Sequence, residues 1–216
     1  ILGFMFSIIL SRQLGPEGMG LYGLIMPIYN LFICLICGGM VAAISKVSAV
    51  YFSKNDCRNL NRSIHTALVF DFIWGLIIVT IFYIASPFIS TYFIKDTRTI
   101  YAIKVLSPAL MFVALSSILK GYFYGVSKVQ VPAFIDILEK AVRIAVLVFI
   151  VDIFSLTDVK STVTVAYSAL CVGEFISFLL LFVVYKFSKG KLKPNPTKAE
   201  GRAQLLFDIL VVSLPL

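Results

Sequence analysis

Leu21-Tyr-Gly-Leu-Ile-Met-Pro-Ile-Tyr-Asn-Leu-Phe-Ile-Cys-Leu-Ile-Cys-Gly-Gly-Met-Val-Ala-Ala-Ile-Ser45 runs for 25 residues without a charge. A helix needs roughly 20 mostly apolar residues to cross a bilayer, so this stretch reads as a spanning helix. Phe72–Ile94 is also uncharged, and Val105–Leu119 is a shorter clean run between Lys104 and Lys120. Val131–Val151 is apolar apart from one charged stripe, and Val163–Tyr185 contains only Glu174. The apolar run before Arg12 adds a sixth span, expected to be truncated, and the run from Leu205 would begin a seventh. No alternating pattern of about ten residues recurs, which argues against a β-barrel. The sequence predicts an all-α polytopic membrane protein.

Composition agrees. Of 216 residues, 60% are hydrophobic and 14% are charged, with a mean hydropathy of +0.98. An ordinary soluble domain carries about 25% charged residues. One soluble core could not hide this much apolar surface. A soluble enzyme, a secreted disulfide scaffold and a disordered chain are excluded. The 19 basic and 11 acidic residues give +8. In an apolar chain that balance reads as cytoplasmic loop charge facing membrane lipids, with no nucleic-acid partner.

The expected organisation has three parts. Residues 1–185 form a six-span bundle, 186–204 a cytoplasmic linker with two prolines and a glycine, and 205–216 the start of a second half. The chain begins and ends inside apolar runs, so it reads as a piece of a longer membrane protein. Gly15-Pro-Glu-Gly18 is a turn by composition. With that turn outside, Arg12, Lys95, Arg98, Lys104 and Lys160 fall on the outer side and the remaining Lys and Arg on the inner side, as the positive-inside rule requires. The expected location is the cell membrane.

Few residues carry chemistry. Cys34 and Cys37 are spaced as a Cys-x-x-Cys pair, but lipid disfavours the thiolates a metal or redox site needs. His65 alone cannot build a histidine metal site, and reads as an interfacial residue near a helix start. No phosphate-binding loop, nucleophile elbow or paired acid site stands out, so no catalytic residue, metal or cofactor is assigned and the chain is not read as an enzyme.

Charges inside spans are costly and usually face a polar interior. Arg12 is either a snorkelling anchor or a ligand for a phosphate head group. Lys46 either marks the end of a span or faces a cavity. In the fifth span, Asp136–Lys140 and Glu139–Arg143 are i,i+4 pairs of opposite sign, read first as structural staples. Asp71 and Glu174 are lone acids, each able to pair with a basic residue of another helix or to couple to a cation. Tyr22, Tyr29, Tyr92, Tyr101, Tyr122 and Tyr124 lie near span ends, as an aromatic belt would.

Two stretches carry a resemblance. One is Leu10-Ser-Arg-Gln-Leu-Gly-Pro-Glu-Gly-Met-Gly-Leu-Tyr22, with Pro27-Ile-Tyr29. The other is Leu119-Lys-Gly-Tyr-Phe-Tyr-Gly125, with Lys128, Pro132-Ala133, Glu139 and Arg143. With Ala43-Ile-Ser-Lys46, they resemble the multidrug/oligosaccharidyl-lipid/polysaccharide exporter superfamily, and within it the polysaccharide biosynthesis and stage V sporulation protein B group. The resemblance implies a six-helix N-lobe plus the start of a second lobe, with the absent C-terminal lobe as partner across a central cavity. It implies a flippase moving lipid-linked polysaccharide or peptidoglycan precursors by alternating access, in envelope or spore cortex synthesis. Arg12 and Lys46 are then first candidates to hold the substrate diphosphate, with Lys120 and Arg143 second. Asp71, Asp136, Glu139 and Glu174 keep open a cation-coupled drug exporter of the same fold. A non-transporting scaffold in envelope assembly is the remaining alternative.

Overall fold

The computed structural model describes residues 2–154, 158–189 and 201–213, and every regular element among them is helical. The elements are α1 (Leu2–Cys37), α2 (Met40–Ser53), α3 (Cys57–Ile84) and a single helical turn, α4 (Ser86–Phe88). A π-helical turn (Ile89–Ile94) and a 3-10 turn (Thr97–Thr99) lead to α5 (Ile100–Gly125), α6 (Gln130–Phe154), α7 (Val159–Lys189) and α8 (Arg202–Ser213).

Four segments are long and apolar enough to cross a membrane: Phe6–Ser53, Cys57–Ile84, Thr97–Gly125 and Val159–Ser188. Six spans are expected from the sequence. The difference has two physical sources. Phe6–Ser53 runs for 48 residues and holds both of the first two expected spans. Helix α6 has the length, 25 residues, but its stripe of Asp136, Glu139, Lys140 and Arg143 lowers its apolarity.

Helix α1 breaks at Gly15, whose φ of 65° and ψ of −177° are not helical. Glycine adopts that φ without a Cβ penalty, and Pro16 then suits the first position of a new helix. The chain turns back there. Phe6 lies 5.7 Å from the Arg143 guanidinium, and Tyr29 feels the same charge. A straight helix would hold residues 6 and 29 about 35 Å apart. Beyond the break, Gly18 faces Val163 and Tyr22 stacks on Tyr167 at 4.8 Å, so this half of α1 runs parallel to α7. A second break, at Gly38–Gly39, separates α1 from α2, with Gly39 at φ 71°.

Among the described residues, contacts between turns and helix ends tie the bundle at two places. At one end the Gly15–Gly18 turn meets the 95–99 turn through Arg98–Glu17 at 2.6 Å. Arg98 also donates to Asp96, which holds the Asp96 carboxyl below the usual carboxylate range. That contribution is present at neutral pH and fades as pH falls through the lowered value. At the other end Lys128 Nζ donates to Ser188 Oγ at 3.0 Å, joining the start of α6 to the end of α7. Residues 186–189 continue α7, and α8 begins at Arg202, so both ends of the expected linker are helical. Its middle, 190–200, lies outside the described residues.

Helix α5 is the axis of the bundle. In its most apolar window 67% of residues are buried, against 22–33% in the other three spanning segments. It packs against α7, α2, α3 and α1. Its contact with α2 is set by two glycines one turn apart. A Cβ on Gly125 would lie 2.5 Å from both the Ser45 carbonyl oxygen and Ser48 Cβ. One on Gly121 would lie 2.9 Å from Ile44 Cβ and the Val41 carbonyl oxygen. Small residues at i and i+4 let membrane helices approach this closely.

Tyrosines correct the aromatic-belt expectation. Tyr92 and Tyr101 are exposed, but Tyr22, Tyr29 and Tyr122 are in the core. Tyr122 meets Tyr185 edge to face at 4.9 Å, and the Tyr167 hydroxyl donates to the Tyr22 carbonyl at 2.8 Å. Their rings bind helices together rather than marking the water interface.

Gly125→Ala should lower the melting temperature of the detergent-purified full-length protein, at a cost of about 1–3 kcal/mol from overpacking. Gly20→Ala, with nothing within 4 Å of its added Cβ, should leave the melt unchanged or slightly higher. Equal melts for the two variants would contradict the proposed close α2–α5 contact.

Candidate functional site

The charged stripe of α6 is where three helices meet. Residues 136, 139, 140 and 143 recur at helical spacing, so α6 presents them along one side. Helix α5 brings Lys120 to this side and α7 brings Glu174. Arg143 Nη2 lies 2.6 Å from Glu139 Oε1 and 3.1 Å from Glu174 Oε1. Lys120 Nζ lies 2.7 Å from Asp136 Oδ1. Gly173 of α7 lies against this stripe: a Cβ there would stand in ordinary contact, 3.5 Å from the Glu139 carbonyl oxygen and 3.6 Å from Arg143 Cβ. The Phe6 ring closes the site from α1.

The two halves of the network differ in exposure. The Arg143, Glu139 and Glu174 side chains are 14%, 7% and 14% exposed, whereas Lys120 and Asp136 are 23% and 34% exposed. The inner trio is therefore the stronger structural constraint. Stripping one partner from a buried ion pair costs about 3–5 kcal/mol, because the remaining charge has no water to turn to.

The expected i,i+4 pairing is found for Glu139–Arg143. It is not found for Asp136–Lys140: Asp136 pairs across helices with Lys120 instead. Lys120 and Arg143 were second candidates for holding a phosphate, and the structure places both against carboxylates.

Arg12 and Lys46 stand elsewhere. Both are exposed, and neither makes an ion pair among the described residues. Lys46 lines a groove of about 180 Å³ with Val50 and Tyr51 of α2 and with Leu205 and Asp208 of α8. Asp71 lies on the buried face of α3, fully enclosed, and neither carboxylate oxygen has a hydrogen-bond partner. Its neighbourhood includes Cys37 of α1, beside Ser117 of α5. Among the described residues no group of three or more His, Cys, Asp or Glu is arranged to hold a metal.

Sequence reasoning missed the Arg98–Glu17 clamp and the Lys120–Asp136 pair. The first joins residues 81 apart, and only the shared end of their two turns could have suggested it. The second needed the orientation of α5 against α6.

Apolar helices that hold ionised side chains against one another define a multi-pass protein of the cell membrane. Residues 1–215 match the family model for polysaccharide biosynthesis proteins, and the chain belongs to that family. It is 29% identical over 217 residues to stage V sporulation protein B of Bacillus subtilis (strain 168), covering 100% of this chain and 42% of that protein. It is 26% identical over 232 residues to the lipid II flippase MurJ of the same organism, again covering 100% of this chain and 42% of the relative. The sporulation protein YkvU, also from that organism, is 27% identical over 216 residues, covering 99% of this chain and 46% of its own length. The chain thus spans less than half the length of these relatives. No solved structure matches it.

Arg143→Gln should strand Glu139 and Glu174 and remove about 3–5 kcal/mol, read as loss of monodisperse full-length protein in detergent. Adding Glu174→Gln should recover a substantial part, since one stranded charge is then gone. Wild-type behaviour of the single variant would show that the trio does not hold the bundle together.

Proposed function

We propose that this chain is the first lobe of a flippase that carries lipid-linked saccharide or peptidoglycan precursors across the cell membrane. One observation carries the reading. Within the 48 residues of Phe6–Ser53 the charged side chains are Arg12, Glu17 and Lys46, and Glu17 is paired with Arg98. Two cations that make no ion pair among the described residues remain in an otherwise apolar segment. Such charges are retained where they meet a polar interior or an anionic ligand.

The chemistry fits a diphosphate-linked lipid. A diphosphate cannot enter hydrocarbon without its water, and fixed cations can replace that water. Arginine adds a bidentate match to phosphate oxygens, while lysine acts as a point charge. Lys120 and Arg143, already neutralised, would keep the bundle rigid behind the binding face. A second lobe facing Arg12 and Lys46 would complete the cavity, and rocking of the lobes would expose it to each side in turn. Relatives named a lipid II flippase and sporulation proteins support this substrate class and a role in envelope or spore synthesis. They support a transporter rather than an enzyme.

A second reading rests on Asp71. A buried carboxyl without a partner is the feature a cation-coupled exporter would use. In that reading Asp71 loads a cation and the exposed basic residues are dispensable.

The test is translocation by the full-length protein in cells depleted of their own precursor flippase. Lipid-linked precursor reachable from outside should be restored by the wild type. Arg12→Ala and Lys46→Ala should each lower it by about 10- to 100-fold at equal expression, the scale of one lost charge-assisted phosphate contact. Asp71→Asn should leave it largely intact. Full activity in both cation variants would overturn this choice of residues, and no restored precursor despite good expression would favour the exporter.

A further inference from the structure

Helix α3 carries a second pattern that the candidate site does not use. Arg62, His65, Thr66, Val69, Phe70 and Ile73 recur at spacings of three and four, so they form one stripe along the helix. The stripe is polar at its first turns and apolar beyond them. Helix α8 lies against α3, and between them is a groove of about 220 Å³. His65 and Thr66 of α3 and Arg202 of α8 line its polar part. Val69, Phe70 and Ile73, facing Leu206, line its apolar part.

Three features of the polar part lack a protein partner. Arg202 and His65 are exposed and make no ion pair among the described residues. The Thr66 hydroxyl lies on a residue 9% exposed and has no hydrogen-bond partner. One turn earlier on the same stripe, Arg62 Nε is shielded from solvent and likewise unpartnered. Arg202 sits at the start of the 12-residue α8, where free backbone N–H groups add partial positive charge. No carboxylate lines this groove.

From this arrangement we propose that the α3–α8 groove binds an anionic phospholipid of the surrounding leaflet. The phosphate lies beside His65 and Arg202 at the polar end of the groove, with Arg62 one turn away on α3. One acyl chain follows Val69, Phe70 and Ile73 towards the bilayer interior. Charge complementarity selects the head group, and the exposure of Val69 and Ile73, 47% and 56%, leaves the groove open to lipid from the side. Because α8 supplies one wall, the lipid bridges α3 to the helix that follows the 190–200 segment. This proposal stands apart from the identity of the transported substrate.

The test uses the purified full-length protein in nanodiscs and reads bound lipid by native mass spectrometry. Phosphatidylglycerol should be retained over phosphatidylcholine. Arg202→Gln and Arg62→Gln should each weaken that preference about fivefold, the scale of one basic residue acting on an anionic lipid. Ile73→Trp, which fills the apolar part without changing charge, should also displace the lipid. Lys54→Gln, an exposed cation at the same end but outside the groove, should leave retention unchanged. Arg202 and Ile73 are lipid- or solvent-facing, so these variants keep the core intact and a loss reports on the groove. Equal retention of both lipids, or equal effects of Lys54→Gln and Arg202→Gln, would overturn the site. So would retention of undecaprenyl diphosphate with no retention of phosphatidylglycerol.

Discussion

Helices as apolar as the lipid around them gain little by burying side chains against one another, so other contacts must hold them together. This bundle uses close backbone approach and polar pairing. Gly121 and Gly125 let α5 lie on α2 at backbone distance. Arg143 joins α6 to α7 through Glu174, and Lys120 joins α5 to α6 through Asp136. Tyr167 joins α7 to α1 through a backbone carbonyl. Each of these contacts involves α5 or α7, and those two helices also pack on one another.

Much of the fold was legible because its signal is local. The uncharged run Leu21–Ser45 needed no partner to be read, and Gly15-Pro16 announced the turn within α1. Glu139 and Arg143 were legible as a pair because a helix fixes where residues four apart lie. Lys120–Asp136 was not, since both Lys120 and Lys140 could have reached Asp136 and only the packing of α5 decides. The tyrosines misled for the same reason. Tyr22 and Tyr122 sit near the ends of apolar runs, yet a neighbouring helix covers each. The Gly121-x-x-x-Gly125 spacing was not read as close packing. The glycines stood in the sequence among residues quoted for a family resemblance, and their packing role emerges only with α2 beside them.

The candidate site divides in the same way. Sequence reasoning grouped Arg12, Lys46, Lys120 and Arg143 as cations within or beside apolar runs. Only three-dimensional placement separates them into a paired set and an unpaired set. A paired cation inside a membrane bundle is already satisfied, and drawing it to a phosphate would strand the carboxylate it leaves. An unpaired one gives up only its water on meeting an anion, and strands no carboxylate. Among the described residues the cations thus fall into one internally neutralised set and one set without an ion pair.

That division also explains why Glu17 matters despite its exposed position. It lies five residues after Arg12, beyond the break at Gly15, and could have compensated that cation locally. Instead it is held at the end of the bundle by Arg98, which Asp96 orients through hydrogen bonds to the same guanidinium. The clamp binds the first turn to the 95–99 turn and keeps a carboxylate away from Arg12. A single surface contact of this kind is weak in water and screened by salt. Here its consequence is positional: it commits the Glu17 carboxylate to Arg98, and among the described residues Arg12 makes no ion pair.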